Sequence, residues 1–205
     1  SASFWVVEPH VGEKKNVDLQ EIQDFFEKEL PQVMPNFEAR TGQIDMALQV
    51  GDAFNNGHTA ILEAGTGTGK SLAYLVPSVL WAIKNEAKVA IATFTITLQS
   101  QLIRDDIPIV EKTGIDFDYA LVKGRSNYIC RRRFQELFKR NQQETTLKAL
   151  SNYIERTQEG SRSDISFQIP SELWEDIHSD AEQTLRAKCP HYNKCFYYQA
   201  RRRAA

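Results

Sequence analysis

The octapeptide AGTGTGKS, Ala64 to Ser71, leaves few folds open to this chain. Glycines at 65, 67 and 69 followed by Lys70 and Ser71 fit the phosphate-loop pattern, in which backbone N–H groups form an anion-binding nest at a helix N-terminus. The pattern needs a strand before the loop and a helix after it. The flanks comply: HTAILEAG reads as a short buried strand, and KSLAYLVPSVLWAIKN as a long apolar helix interrupted by Pro77. In such a loop Lys70 reaches the β and γ phosphates as a point charge, and the Ser71 hydroxyl ligates Mg²⁺. Ala64, Gly65, Thr66, Gly67, Thr68 and Gly69 line the backbone cradle. A nucleoside triphosphate, ATP in the first instance, is the ligand this chemistry expects.

The theme repeats downstream. KVAIATFTITLQSQLIRDDIPIV reads as a β-branched strand, a threonine-rich loop and a helix, and DFDYALVKG as a third strand. Strands alternating with helices imply βαβ units, so the expected fold class is α/β, a P-loop RecA-like parallel sheet forming part of a motor domain. Upstream, Leu19, Ile22, Phe25, Phe26 and Leu30 fall at helical spacing behind Asp18 and Glu21, a capping-box pair, and Pro31 ends the run. A second helix runs from Thr41 to Asn-Asn-Gly at 55–57. The alternation stops near Gly124, and from Ser126 the sequence is polar and mainly helical. Three segments follow: an N-terminal helical extension over 1–35, an ATP-binding segment over 36–125 and a helical lobe over 126–205.

The chain's 205 residues, 41% of them hydrophobic, suffice for one core or for a core plus a smaller lobe. No run approaches the ~20 apolar residues of a membrane span, and the first residues lack the pattern of a secretion signal, so a cytoplasmic protein with no membrane partner is expected. Net charge is −2, but the charges are segregated. Residues 1–60 carry 10 acids and 4 bases, Lys123 to Arg140 seven bases against Glu136 alone, and Gln183 to Ala205 six bases and no acid. Both basic clusters coincide with cysteines, one beside Cys130 and one around Cys189 and Cys195. They read either as nucleic-acid contacts or as solvated helix faces.

Taken in order, FEARTGQIDMA, LEAGTGTGKSLAYLVPS, IATFTITLQSQLI, VKGRSNYICRRR and KCPHYNKCFYYQAR resemble the N-terminal part of the DinG/XPD-like superfamily 2 DNA helicases, the bacterial DinG-type branch above all. The resemblance covers roughly Phe37 to Ala205. It implies an ATP-dependent 5′ to 3′ DNA helicase serving repair or replication, single-stranded DNA or DNA junctions as partners, and a second motor domain elsewhere in the parent protein. It implies that Gln43, with Arg40 nearby, reads adenine, that Lys70 and Ser71 are catalytic, and that Thr95 and Gln99 lie on the DNA backbone. With the basic clusters it adds Lys123, Arg125, Arg131 and Arg201 to the DNA-binding set. The bland readings are an exposed helix start for Gln43 and capping of the next helix for Thr95 and Gln99. For Phe196, Tyr197 and Tyr198 the bland reading is packing in the lobe's own core.

The resemblance also implies an iron–sulfur cluster of the 4Fe–4S type in the lobe, which needs four soft thiolates. This chain has three cysteines, Cys130, Cys189 and Cys195, and Thr184 occupies the position where the fourth is usual. Three readings remain open: a cluster whose fourth ligand is unusual, such as His178, or absent; zinc held by the three cysteines with His178 or His191; or an empty lobe held by packing. The family's Asp-Glu-x-His strand and its second motor domain are not found in these residues, since WEDIH at 174–178 has its carboxylates reversed. The 205 residues alone are therefore expected to bind ATP weakly and neither to hydrolyse it appreciably nor to unwind DNA. Two other classes stay in view. A different P-loop NTPase or kinase would explain the loop but not the cysteine lobe. A non-enzymatic nucleic-acid-binding or redox-sensing module would explain the lobe but not the loop.

Overall fold

A computed structural model of the chain describes residues 13–35, 37–65 and 67–205. The chain divides into two compact units, Ser1–Asp118 and Tyr119–Ala205, each with its own apolar core. No described helix is long and apolar enough to cross a membrane.

The first unit is built on four helices. Helix α1 (19–33) starts at Asp18, whose carboxylate accepts from the Gln20 N–H at 2.9 Å. It buries Ile22, Phe25, Phe26 and Leu30 almost completely. Burying each contributes on the order of 1.5–3 kcal/mol, more than any cap does, so the apolar face rather than propensity holds the helix. Helix α2 (Thr41–Asn56) ends on Gly57 at φ 65°, a left-handed C-cap. It packs against α1 so closely that a Cβ on Gly51 would run into the Ile22 side chain. Helix α3 (Lys70–Asn85) follows the phosphate loop and supplies Leu72, Ala73, Leu75, Val76 and Val79 to the same core. Helix α4 (96–112) completes it with Leu102, Ile107 and Val110. The segment over 13–18 is fastened by two asparagines. Asn85 bonds the backbone N–H and C=O of Lys15, and Asn55 bonds those of Val17, all at 2.8–3.0 Å.

Prolines act differently here from the sequence expectation. Helix α1 does not end at Pro31 but continues to Val33, and α3 runs unbroken through the buried Pro77. In α1 a π-helical turn, Phe25–Glu29, is followed two residues later by Pro31; in α4 the π-helical turn Leu102–Asp106 is followed two residues later by Pro108. A proline ring clashes with the carbonyl four residues back and offers no N–H to it. Widening the preceding turn to an i→i+5 bond, Leu30 N–H to Phe25 O and Ile107 N–H to Leu102 O, gives the ring room.

The parallel sheet expected from the sequence is not there. Among the described residues there is no strand, and the segments over 58–64, 87–93 and 115–124, read above as strands, have no regular secondary structure. A β-branched run is stabilised as a strand only by a neighbour for its backbone and a cover for its faces. Here Ile61 is 96% and Phe94 100% exposed, so these side chains find no cover within the first unit. The glycine-rich loop thus sits on a helical unit, not on the RecA-like α/β sheet the sequence led one to expect.

The second unit is mainly helical, as expected for the lobe. Helices α5 (Arg131–Arg140), α6 (Thr145–Arg156), α7 (Ser171–Ile177) and α8 (Phe196–Ala204) enclose Phe134, Leu147, Leu150, Trp174, Ile177 and Phe196. The residues just before α5 form its spine. Tyr128 and Ile129 make isolated antiparallel bridges to Ser161 and His178, and Cys130 N–H donates to Ile177 O at 2.7 Å. Gly160, at φ 60°, lies where any Cβ would overlap the Phe196 ring.

Candidate functional site

The phosphate loop lies in the first unit, at the N-terminus of α3. Gly67 and Gly69 have φ of 79° and 77°, the left-handed region that glycine reaches without strain. Gly69 is required twice over, because a Cβ there would also overlap the Gln43 amide. Gln43 is 3% exposed, and its Nε2 donates to Gly69 O at 2.9 Å. In this structure it braces the loop from behind, so the exposed helix-start reading does not hold. Lys70 folds back over the loop and donates from Nζ to Ala64 O at 2.9 Å and Gly65 O at 2.7 Å, while Thr68 Oγ1 donates to Gly65 O at 2.9 Å. The ammonium thus already lies over the loop. Arg40 is exposed at the start of α2, and Thr66 lies outside the described residues.

Beyond the loop, Thr95 caps α4, its hydroxyl accepting from Leu98 N–H at 3.2 Å, and Gln99 is half-buried one turn on. The cap reading therefore describes what Thr95 does here. Asp106 was missed in the sequence. It is 7% exposed, its Oδ2 has no hydrogen-bond partner, and burial pushes its carboxyl above the usual carboxylate range, with Ser71 and Gln101 pulling the other way. The only sequence signal was an acid inside the apolar run of LIRDDIPIV.

The second unit brings Cys130, Cys189 and Cys195 to one cavity, and Thr184 lines it with them. Cys130 precedes α5 and Cys195 precedes α8, so two helix starts and the loop between α7 and α8 position the thiols. Burial pushes the Cys195 thiol up, and the nearby Cys130 adds to that, while Tyr198 and Tyr197 N–H groups and Arg125 pull it down. Neither His178 nor His191 lines the cavity. The His178 ring is already used, Nδ1 at 3.0 Å from Ser179 O and Nε2 at 3.1 Å from Glu175 Oε2, which removes it as the fourth ligand. Among the described residues no three His, Cys, Asp or Glu side chains are close enough to share a single ion. That spacing does not fit a mononuclear zinc site, whose ligands all lie about 2.0–2.3 Å from the metal. Three soft thiols line this cavity, with Arg125, Arg132 and Arg133 at its wall.

The basic residues assigned to DNA are largely turned inward. Lys123 is 6% exposed; its Nζ donates to Ser161 Oγ and Ser163 Oγ, both at 2.7 Å, and lies 3.5 Å from Asp164. The Arg125 guanidinium lies 4.0 Å from the Tyr197 ring centroid and 5.2 Å from that of Tyr198. Arg131 lies over Phe196 at 4.1 Å and donates to Lys194 O at 2.7 Å, and Arg201 is exposed, 5.9 Å from the Tyr197 ring. Arg132 donates to Gln183 O at 3.1 Å, and Arg133 to His178 O and Glu175 O at 2.9 and 2.6 Å. The Arg131–Arg133 run is therefore a set of staples to the cysteine loop and to the C-terminus of α7, and Phe196 and Tyr197 belong to the core.

No protein-family model matches the chain. Curated proteins do. It is 34% identical over 186 residues to "ATP-dependent helicase DinG" of Mycobacterium tuberculosis, covering 79% of this chain and 28% of that protein. To "ATP-dependent DNA helicase YoaA" of Escherichia coli it is 35% identical over 186 residues, covering 86% of the chain and 28% of the relative. To "3'-5' exonuclease DinG" of Bacillus subtilis it is 33% identical over 173 residues, 80% of the chain and 18% of the relative. The chain thus spans less than a third of the length of each of these relatives. Phosphate-loop motif, cysteine lobe and these matches agree in relating the chain to the DinG and YoaA helicases.

Proposed function

We propose that the chain is the nucleotide-binding and cysteine-lobe segment of an ATP-dependent, cytoplasmic DNA helicase that moves 5′ to 3′ and serves repair or replication. The observation that carries this is the phosphate loop. Gly67 and Gly69 hold left-handed backbone, α3 begins immediately behind the loop, and the Lys70 ammonium rests on the loop's own carbonyls 2.7 and 2.9 Å away. Bound ATP with Mg²⁺ supplies the transferable phosphoryl group and its counter-charge. The chain's own part is to bind and orient. Backbone N–H groups of Gly67 to Ser71 would face the phosphates, Lys70 would exchange two carbonyls for phosphate oxygens, Ser71 would offer its hydroxyl oxygen to the cation, and Gln43 keeps Gly69 in place.

In the lobe, Cys130, Cys189 and Cys195 would hold an iron–sulfur cluster, with Thr184 standing at the fourth corner. Single-stranded DNA is the proposed partner, tracked through Thr95, Gln99 and the exposed bases of the lobe, Arg201 among them. In the full-length parent, Lys70→Ala should abolish hydrolysis stimulated by single-stranded DNA. Undiminished stimulated turnover would overturn the reading. Protein prepared anaerobically should carry iron and sulfide, lost in Cys130→Ser; stoichiometric zinc, or neither metal, would overturn the cluster.

A further inference from the structure

The loop that carries Cys189 has little of its own to hold it. Over 181–190 every residue is exposed except Thr184 and Cys189, which are half-buried. Its backbone runs through successive tight turns, with Cys189 N–H donating to Arg186 O and Tyr192 N–H to Cys189 O at 3.0 Å, and Cys195 N–H to Tyr192 O at 3.3 Å. Turns of this kind are local and fix no position relative to the rest of the lobe. Arg186, at φ 48°, adds strain rather than support.

Burial therefore contributes little, and bonds from other elements decide where the loop lies. Two come from consecutive residues in the first turn of α5. Arg132 donates to Gln183 O at 3.1 Å at one end of the loop, and Arg131 Nε donates to Lys194 O at 2.7 Å at the other. From α8, Arg202 adds a bond to Asn193 O at 2.9 Å. The clips are themselves anchored, Arg131 over the Phe196 ring at 4.1 Å and Arg132 by Glu136 at 3.0 Å. Gln183 adjoins Thr184, Lys194 adjoins Cys195, and Cys130 immediately precedes Arg131. Cys130 is fixed in turn, its N–H donating to Ile177 O at 2.7 Å. A single helical turn is thus the common reference for the three cysteines and Thr184.

The spacing gives this a chemical point. The thiols share a cavity but do not converge closely enough for one ion among the described residues. A lone ion draws its ligands together, whereas a larger thiophilic group needs thiols already spaced to meet it, and that span is set by the backbone. A guanidinium fork on a backbone carbonyl suits the task better than the mobile ammonium of lysine.

We propose that Arg131 and Arg132 are positioning residues of the cysteine cavity: by clipping the two ends of the 183–194 loop to the turn that follows Cys130, they hold the three thiols around one cavity before any metal arrives. Their use in the protein rests on the reading above that these cysteines together hold an iron–sulfur cluster.

The test takes the metal-free 205-residue chain as the native protein, Arg131→Lys, Arg132→Lys and Arg133→Lys. Lysine keeps the charge beside the thiols and removes the fork. Arg133 is the control, since it starts from the same turn but bonds His178 O and Glu175 O of the α7 end rather than the loop. The first readout is the rate at which iodoacetamide alkylates each thiol, resolved by mass spectrometry. Arg132→Lys should speed Cys189, and Arg131→Lys Cys195, by roughly tenfold as the loop opens more often, with Arg133→Lys near the native rates. Unchanged rates in the first two variants, or an equal rise in Arg133→Lys, would overturn the proposal, because a general loss of stability raises all three alike. The second readout is iron and sulfide bound after anaerobic incubation with ferrous iron and inorganic sulfide. Native chain should bind both, and Arg131→Lys and Arg132→Lys several-fold less; uptake equal to native would overturn the proposal alone. A native chain that takes up neither, while the alkylation rates behave as expected, would overturn the cluster reading and support the positioning.

Discussion

Gln43 shows how much of a phosphate loop lies outside its own motif. The loop's glycines and Lys70 were legible because their chemistry is fixed by spacing. Gln43 acts from α2, and only tertiary packing brings it to Gly69. The resemblance drew attention to Gln43, but nothing in the residues told its amide to face Gly69 rather than solvent. Burial that pushes the Asp106 carboxyl up is unfavourable to the folded chain at neutral pH. Nucleotide-free Asp106→Asn is therefore expected to be at least as stable as the native chain at neutral pH. Thermal unfolding followed by circular dichroism checks this; a clear fall in midpoint would mean that the carboxylate is a structural group. The basic residues teach the converse. Lys123 and Arg131–Arg133 read as surface charge, yet Lys123 is bonded to two serines and the arginines to backbone carbonyls.

At the scale of elements, helices were read better than strands. Apolar spacing located α1, α2, α3 and α4 because a helix satisfies its own backbone and needs one covered face. Residues 58–64, 87–93 and 115–124 have the composition of strands, but strand formation depends on partners elsewhere, which composition does not report. Pro31 misled for a local reason: a π-helical turn upstream absorbs it, and periodicity does not foresee a five-residue turn. In the lobe the elements are joined by packing and by arginine staples. Gly160 is a tight point, with positive φ and the Phe196 ring in the space a Cβ would need. Gly160→Ala should destabilise the second unit by about 2 kcal/mol or more, through both strain and overpacking. Chemical denaturation read by the buried Trp174 would measure it, and an unchanged midpoint would contradict the packing described here.

At the scale of the whole molecule, the two units divide the work: the first holds the phosphate loop and the second gathers the three cysteines. The family was legible from five short motifs in order, and the curated relatives agree with it. The sheet was not legible, and the lobe's missing thiol, Thr184, was visible only as a gap in a pattern. What the account asserts above all is that the first unit binds a nucleoside triphosphate through Lys70. Titrating the 205-residue chain and Lys70→Ala with a fluorescent ATP analogue in Mg²⁺ tests that directly. Loss of a charge-assisted contact to phosphate should weaken binding roughly ten- to hundredfold while leaving the unfolding midpoint in place. Equal affinity in the two proteins would contradict it.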